Sequence, residues 1–206
     1  MLFQMASSRS VFGLIQIGAI FLFFAYALVA QPSKYDYPTE LRGGYRLIYK
    51  EKGDLMFLLL AKGSTTIKRF GGYSVGLPLK NLGYIAADFP EHFVLAHSFG
   101  SGNPHEIELI RKRDGKNLLE STAVWVDSRP KQNALLYAPK LPLNYGDRVI
   151  LYDIGSGKKR SFVLPVDIFK ENMVYSRITI AELTREQLII TYQVGSSSKT
   201  KTYRIR

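Results

Sequence analysis

Two hydrophobic patterns divide the chain. From 11 to 30 the run VFGLIQIGAIFLFFAYALVA carries no charge, and as a helix its length matches the roughly 30 Å hydrocarbon layer of a bilayer. After about 44, apolar residues come in short runs or alternate with polar ones, and Gly, Pro, Asn or Asp separate the runs. Alternation with a period of two is the mark of a half-buried strand. It predicts strands over 45–50, 55–61, 66–70, 84–87, 93–97, 106–111, 123–126, 134–138, 149–153, 162–164, 177–181, 188–193 and 200–205. No segment after the apolar run sustains a helical period. Strands at this spacing predict an all-β domain: a sandwich, a barrel or a propeller.

The apolar run has two readings. The small residues of Ala25-Tyr26-Ala27 and Leu28-Val29-Ala30, ahead of Gln31-Pro32, fit a signal peptide cleaved near Ala30. The length of the run fits a membrane anchor. Both predict an N-terminal apolar helix over 1–30, a linker over 31–43 and an all-β domain over 44–206. The location that follows is periplasmic, cell-envelope or secreted, or a single-pass membrane protein held by 11–30. Basic residues do not orient an anchor, because Arg9 lies before the run and Lys34 and Arg42 after it.

The β region contains self-similarity. A shift of 42 residues places Phe93-Val94-Leu95-Ala96 on Leu135-Leu136-Tyr137-Ala138, Ile107-Glu108-Leu109-Ile110 on Val149-Ile150-Leu151-Tyr152, and Gly115-Lys116 on Gly157-Lys158. A shift of 54 places Val124-Trp125-Val126 on Ile178-Thr179-Ile180 and Leu135-Leu136 on Ile189-Ile190. A looser first copy runs from Tyr45 to Phe70. Repetition at a fixed period predicts an array of like units, about four here. The last unit has three strands; if the ring closes, 45–50 could add the fourth across the seam and remove an exposed edge, and if it does not, the edges must be covered otherwise or by a partner.

The segment from Val149 to Lys158, VILYDIGSGK, resembles the third strand and turn of a β-propeller blade of the WD40 or TolB kind. Such blades run a hydrophobic strand into an aromatic-Asp pair, here Tyr152-Asp153, and then a Gly-Lys hairpin. The resemblance covers 44–206 and implies a small propeller-like array, with a sandwich or barrel as the alternative. It departs from the WD40 pattern in two places: Ile110-Arg111 stands where the preceding copy would carry the aromatic-Asp pair, and the chain has no Gly-His dipeptide.

Composition narrows the chemistry. With no cysteine there are no disulfides, thiolate nucleophiles or Cys-ligated metals. Lys and Arg number 28 against 17 Asp and Glu, a net charge of +11. The excess is +3 up to residue 106, from 10 basic and 7 acidic residues, and +8 beyond it, from 18 and 10. If the two Gly-Lys turns are equivalent, they bring Arg113, Lys116, Lys158, Lys159 and Arg160 to one basic face. That face would attract phospholipid headgroups, acidic glycans or an acidic protein. Nucleic acid is a poor partner for an exported domain whose aromatics fall in strand positions.

No catalytic constellation can be assembled. Glu106 and Glu108 share a strand face at a spacing that suits paired carboxylates, but alternation with Ile107 and Leu109 also describes the wet side of any half-buried strand. His97 and His105 flank a loop and could meet, with Asp88 or Glu106 as a carboxylate ligand, though no metal or other cofactor is implied. Gly155-Ser156-Gly157-Lys158 lacks the earlier Gly of a phosphate loop and reads as a hairpin turn. The sequence thus predicts an exported, noncatalytic β-repeat protein that binds a macromolecular or anionic partner. The alternatives are a hydrolase or lyase of anionic glycans, using Glu106, Glu108 and His105, and a small-ligand β-barrel.

Overall fold

In the computed structural model, the described residues are 38–98, 105–119, 123–139, 148–170, 177–184 and 186–205. The apolar run and residues 31–37, expected to form a helix and a linker, lie outside them. The described chain is all-β and builds three antiparallel sheets, none closed into a barrel. The first contains β1 (Thr39–Leu41), β2 (Tyr45–Lys52), β3 (Leu55–Lys62) and β4 (Thr65–Ser74) in sequence order. A single-turn helix, α1 (Leu79–Leu82), leads into the second sheet. Its seven strands are β5 (Tyr84–Asp88), β6 (His92–His97), β7 (Glu106–Arg111), β8 (Ala123–Arg129), β9 (Ala134–Pro139), β10 (Arg148–Asp153) and β11 (Lys158–Val163), each paired with the next. The third contains β12 (Ile178–Leu183), β13 (Gln187–Val194) and β14 (Ser197–Arg204).

The alternation read from the sequence becomes a division of faces. In β6, Phe93 and Leu95 join a cluster with Leu41, Leu47, Leu58 and Leu60 of the first sheet. Val94 and Ala96, pointing the other way, join Ile107, Leu109, Leu135, Tyr137 and Tyr152. In β9, Leu135 and Tyr137 face that middle cluster, and Leu136 and Ala138 face a third, shared with Leu188, Ile190 and Tyr192 of the last sheet. β6 and β9 are therefore buried on both sides, which is why they read as continuous apolar runs.

All the strand residues of the middle cluster come from β5 to β10, so the seven-stranded sheet covers this face by curling over itself. β5 and β8 confirm the curl. Two strands separate them in the sheet, which in a flat sheet means roughly 14 Å, yet their Cα atoms approach within 8 Å. Among the described residues β7 and β8 pair at Glu106 with Val124 and Ile107 with Ala123, and Trp125 N donates to His105 O at 2.9 Å.

Three expectations change. β1 lies inside the stretch read as linker, because its three residues are ordered by pairing with β2 and not by any pattern of their own. β2 cannot close a ring onto the last sheet, since β1 and β3 occupy both its edges. The strand expected at 162–164 starts at Lys158; its polar first residues mark a sheet edge, where Lys is a common guard against further pairing. The 42-residue shift keeps the faces in step between β6 and β9. The 54-residue shift superposes Leu136, which faces the next layer, on Ile190, which faces the preceding one. A one-residue offset inverts every face of a strand.

Candidate functional site

The two Gly-Lys turns leave the seven-stranded sheet at opposite edges. β7, β8, β9 and β10 are successively antiparallel, so β7 and β10 run in opposite directions along the sheet. The single basic face expected of Arg113, Lys116, Lys158, Lys159 and Arg160 is thus divided. Equivalence by sequence shift did not fix strand direction; the antiparallel order of the sheet did.

The first turn is occupied with structure. Arg111 Nε donates to both carboxylate oxygens of Asp114 at 3.0 Å, and this guanidinium is the main reason the Asp114 carboxyl titrates at about 2. Gly115, at φ 66°, is backed by the Lys68 side chain of β4. Arg113 and Lys116 are exposed beside it. Between them and β7, Lys112 is fully buried. Its ammonium donates to the carbonyls of Arg42, Phe89 and Pro90 at 2.9, 2.7 and 3.3 Å and pairs with Asp88 Oδ1 at 2.6 Å. The lysine thereby fastens the start of the first sheet to β5.

The second turn borders a groove of about 480 Å³ between β9–β11 and the last sheet. Ala134 and Leu151 give it an apolar floor, and Lys131, Lys158, Arg160, Asp153, Gln132 and Thr184 form polar walls. Lys158 and Arg160 are two apart on β11 and share a face, opposite Asp153 and Leu151 of β10. Lys159 points the other way, its ammonium 5.3 Å from the Tyr152 ring centre. Lys131 comes from the 3-10 turn Pro130–Gln132, which ends on Asn133 in the left-handed conformation, φ 55°. The Asn133 carbonyl accepts from Ile154 N at 2.8 Å, tying this turn to the end of β10. Arg129 donates to the Ala181 carbonyl at 3.0 Å and holds β12 against the same wall.

Among the described residues that line the groove Asp153 is the one carboxylate, and it belongs to the turn. Oδ1 accepts from Gly155 N at 3.0 Å and Ser156 N at 3.2 Å. The Ser156 side chain, then these amides and Lys158, hold the carboxyl below its usual range. Three cations thus face an anion already engaged by backbone, a balance that favours a bound anionic group. The segment from Gly155 to Lys158 is the hairpin turn the sequence predicts.

The carboxylate and histidine candidates separate differently. Glu106 stands opposite His97 in the β6–β7 ladder. His97 is placed between Glu108 Oε1 at 3.3 Å and the Asn81 carbonyl of α1 at 3.2 Å. Burial alone would lower its pKa, but the Glu108 hydrogen bond, the Asn81 carbonyl and the charges of Glu108 and Glu106 outweigh it and leave the imidazole raised. His105, the histidine named for glycan chemistry, instead hydrogen-bonds Tyr84 and stacks on Trp125 with ring centres 6.3 Å apart. His97 and His105 do not converge, and among the described residues no group of three or more His, Asp or Glu could hold a metal ion. Burial, with Arg111, Lys112 and Arg113 nearby, lowers the pKa of His92 against the opposing pull of Glu91.

Sequence reasoning missed Lys131, Gln132 and Thr184 in the groove, and Lys112 in the core. For Lys112 a signal existed: alternation carries the inward face of β7 from Ile110, which packs against the first sheet, to residue 112. The groove residues lie in a turn and at strand ends, which only the packing of two sheets brings together. No helix among the described residues is long and apolar enough to cross a membrane. Compared with family models, curated proteins and solved structures, the chain matches none.

Proposed function

We propose that this protein is an exported or membrane-anchored, noncatalytic β protein that binds an anionic macromolecule, with the groove beside β11 as its binding site. The observation that carries the reading is the set of Lys131, Lys158 and Arg160 around an apolar floor, with Asp153 engaged by its own turn. An acidic glycan suits the groove: its carboxylate or sulfate groups would meet the cations, and the apolar face of a sugar ring would lie on Ala134 and Leu151. Arg113 and Lys116 stand at the opposite edge of the sheet and are outside this site.

The architecture behind the site is read as a small, open, propeller-like array. Its four units are β1–β4, β5–β7, β8–β11 and β12–β14, and three apolar clusters lie between successive units. The reversal of β6 relative to β9 distinguishes it from a ring in which each unit is rotated into the next about one axis.

Heparin and polygalacturonate are suitable probes for a titration of the full chain in detergent. Binding that weakens with salt and falls in the Lys158→Glu, Arg160→Glu variant is expected. Equal affinity in that variant, or binding indifferent to salt, would remove the groove from the reading.

A further inference from the structure

A second surface lies at one end of the first sheet. Leu55, Val75 and Leu77 are 42%, 39% and 44% exposed, half of the six large apolar side chains that face solvent among the described residues. Their backbones are neighbours at this end of the sheet: Leu55 pairs with Ser74, Val75 N donates to Asp54 O at 2.9 Å and Leu77 N to Ser74 O at 3.3 Å. Half-buried Phe57 extends the patch along β3. The ladder places Lys52 opposite Leu55 and Lys50 opposite Phe57, and the Arg69 guanidinium stands 4.8 Å from the Phe57 ring centre. Alternation turns Glu51 to the other face. The residues of β2 and β3 that pack inward, Leu47, Leu58 and Leu60, belong to the first cluster; Leu55 and Phe57 do not.

Strand direction gives this end a further property. β1 is antiparallel to β2, with Thr39 opposite Leu47 and Leu41 opposite Tyr45, so the chain enters β1 from the side of Lys52 and Leu55. Only residues 31–38 separate β1 from the uncharged run of 11–30, a tether of at most roughly 29 Å when extended. A short tether raises the effective concentration of any surface next to the bilayer, so a few side chains that would bind lipid weakly alone suffice.

We propose that this end of the first sheet rests on the lipid bilayer. Leu55, Val75 and Leu77 enter the interface, Phe57 lies behind them, and Lys50, Lys52 and Arg69 keep their charges among anionic headgroups while their stems cover apolar surface. The inference rests on the anchor form of the reading above and is independent of the groove, which lies beside β11.

The absence of cysteine allows a single reporter. The full chain with Leu77→Cys carries an environment-sensitive fluorophore, is reconstituted into phosphatidylcholine–phosphatidylglycerol vesicles, and is compared with the same label at Thr200→Cys in β14. Label at 77 is expected to be blue-shifted, several-fold brighter and quenched by doxyl lipids, while label at 200 stays water-like. Adding Leu55→Asp and Val75→Asp should return the label at 77 to water-like emission with an unchanged far-ultraviolet spectrum. Labels at 77 and 200 that behave alike in membrane-retained protein overturn the docking surface. Protein extracted by alkaline carbonate overturns the anchor instead, so the two failures are distinguishable. An equal shift on pure phosphatidylcholine overturns the role given to the cations.

Discussion

The turns at Gly115 and Gly157 follow two strands that superpose in sequence, and both glycines adopt the left-handed conformation, φ 66° and 72°. Their surroundings differ. A Cβ at Gly115 would lie 2.4 Å from Lys68 Cβ, whereas nothing lies within 4 Å of one at Gly157. The first turn sits against another sheet, and the lysine just before it is consumed in the core. The second is open, and its cations border a groove. The lesson is that a basic turn becomes a candidate site only where the layers leave its charges facing a cavity.

Substitutions can break this contrast. Lys112→Ala leaves three carbonyls and Asp88 Oδ1 without the ammonium, while Arg42 still holds Asp88 Oδ2, and should cost about 3 kcal/mol in urea unfolding, the low end for a broken buried pair. Gly115→Ala should cost about 2 to 3 kcal/mol, because the backbone penalty of a left-handed alanine adds to the contact with Lys68. Gly157→Ala carries the backbone penalty alone, about 1 kcal/mol. Equal losses in the two glycine variants would contradict the difference in packing. Charge reversal at Lys158 and Arg160 should lower heparin affinity about tenfold or more, and the same reversal at Arg113 and Lys116 should leave it unchanged.

The smallest effect concerns pH. His97 is raised above 6.5 in the folded chain, so its pairing with Glu108 adds stability that is fully present below that value and lost as pH rises through the folded pKa. His92, whose pKa is lowered, makes stability rise with pH in both proteins alike, so from pH 6 to pH 8 the parent chain should lose stability relative to His97→Gln. Identical profiles would show that the pairing does not stabilise the fold.

Much of the fold was legible in the strands. Val94 and Leu95, or Leu135 and Leu136, stand out because neighbouring residues of a strand buried on both faces are all apolar. β1 and the first half of β11 were not legible, since Thr39-Glu40-Leu41 and Lys158-Lys159-Arg160 carry no such pattern and are ordered by their neighbours. Of the five basic residues proposed from the sequence, Lys158 and Arg160 line the groove; Lys131 joins them through a turn whose position depends on β9 and β12.

The sequence by itself determined the strand periods, the positive charge, the lack of thiol chemistry and the glycines at the turns, because these follow from local sterics and residue type. Tertiary structure decided which strands pair, where the seven-stranded sheet folds over, and which cations meet. Those depend on strand direction and on contacts between residues far apart in the chain, such as Lys112 with Arg42 and Asp88, and no local pattern encodes them.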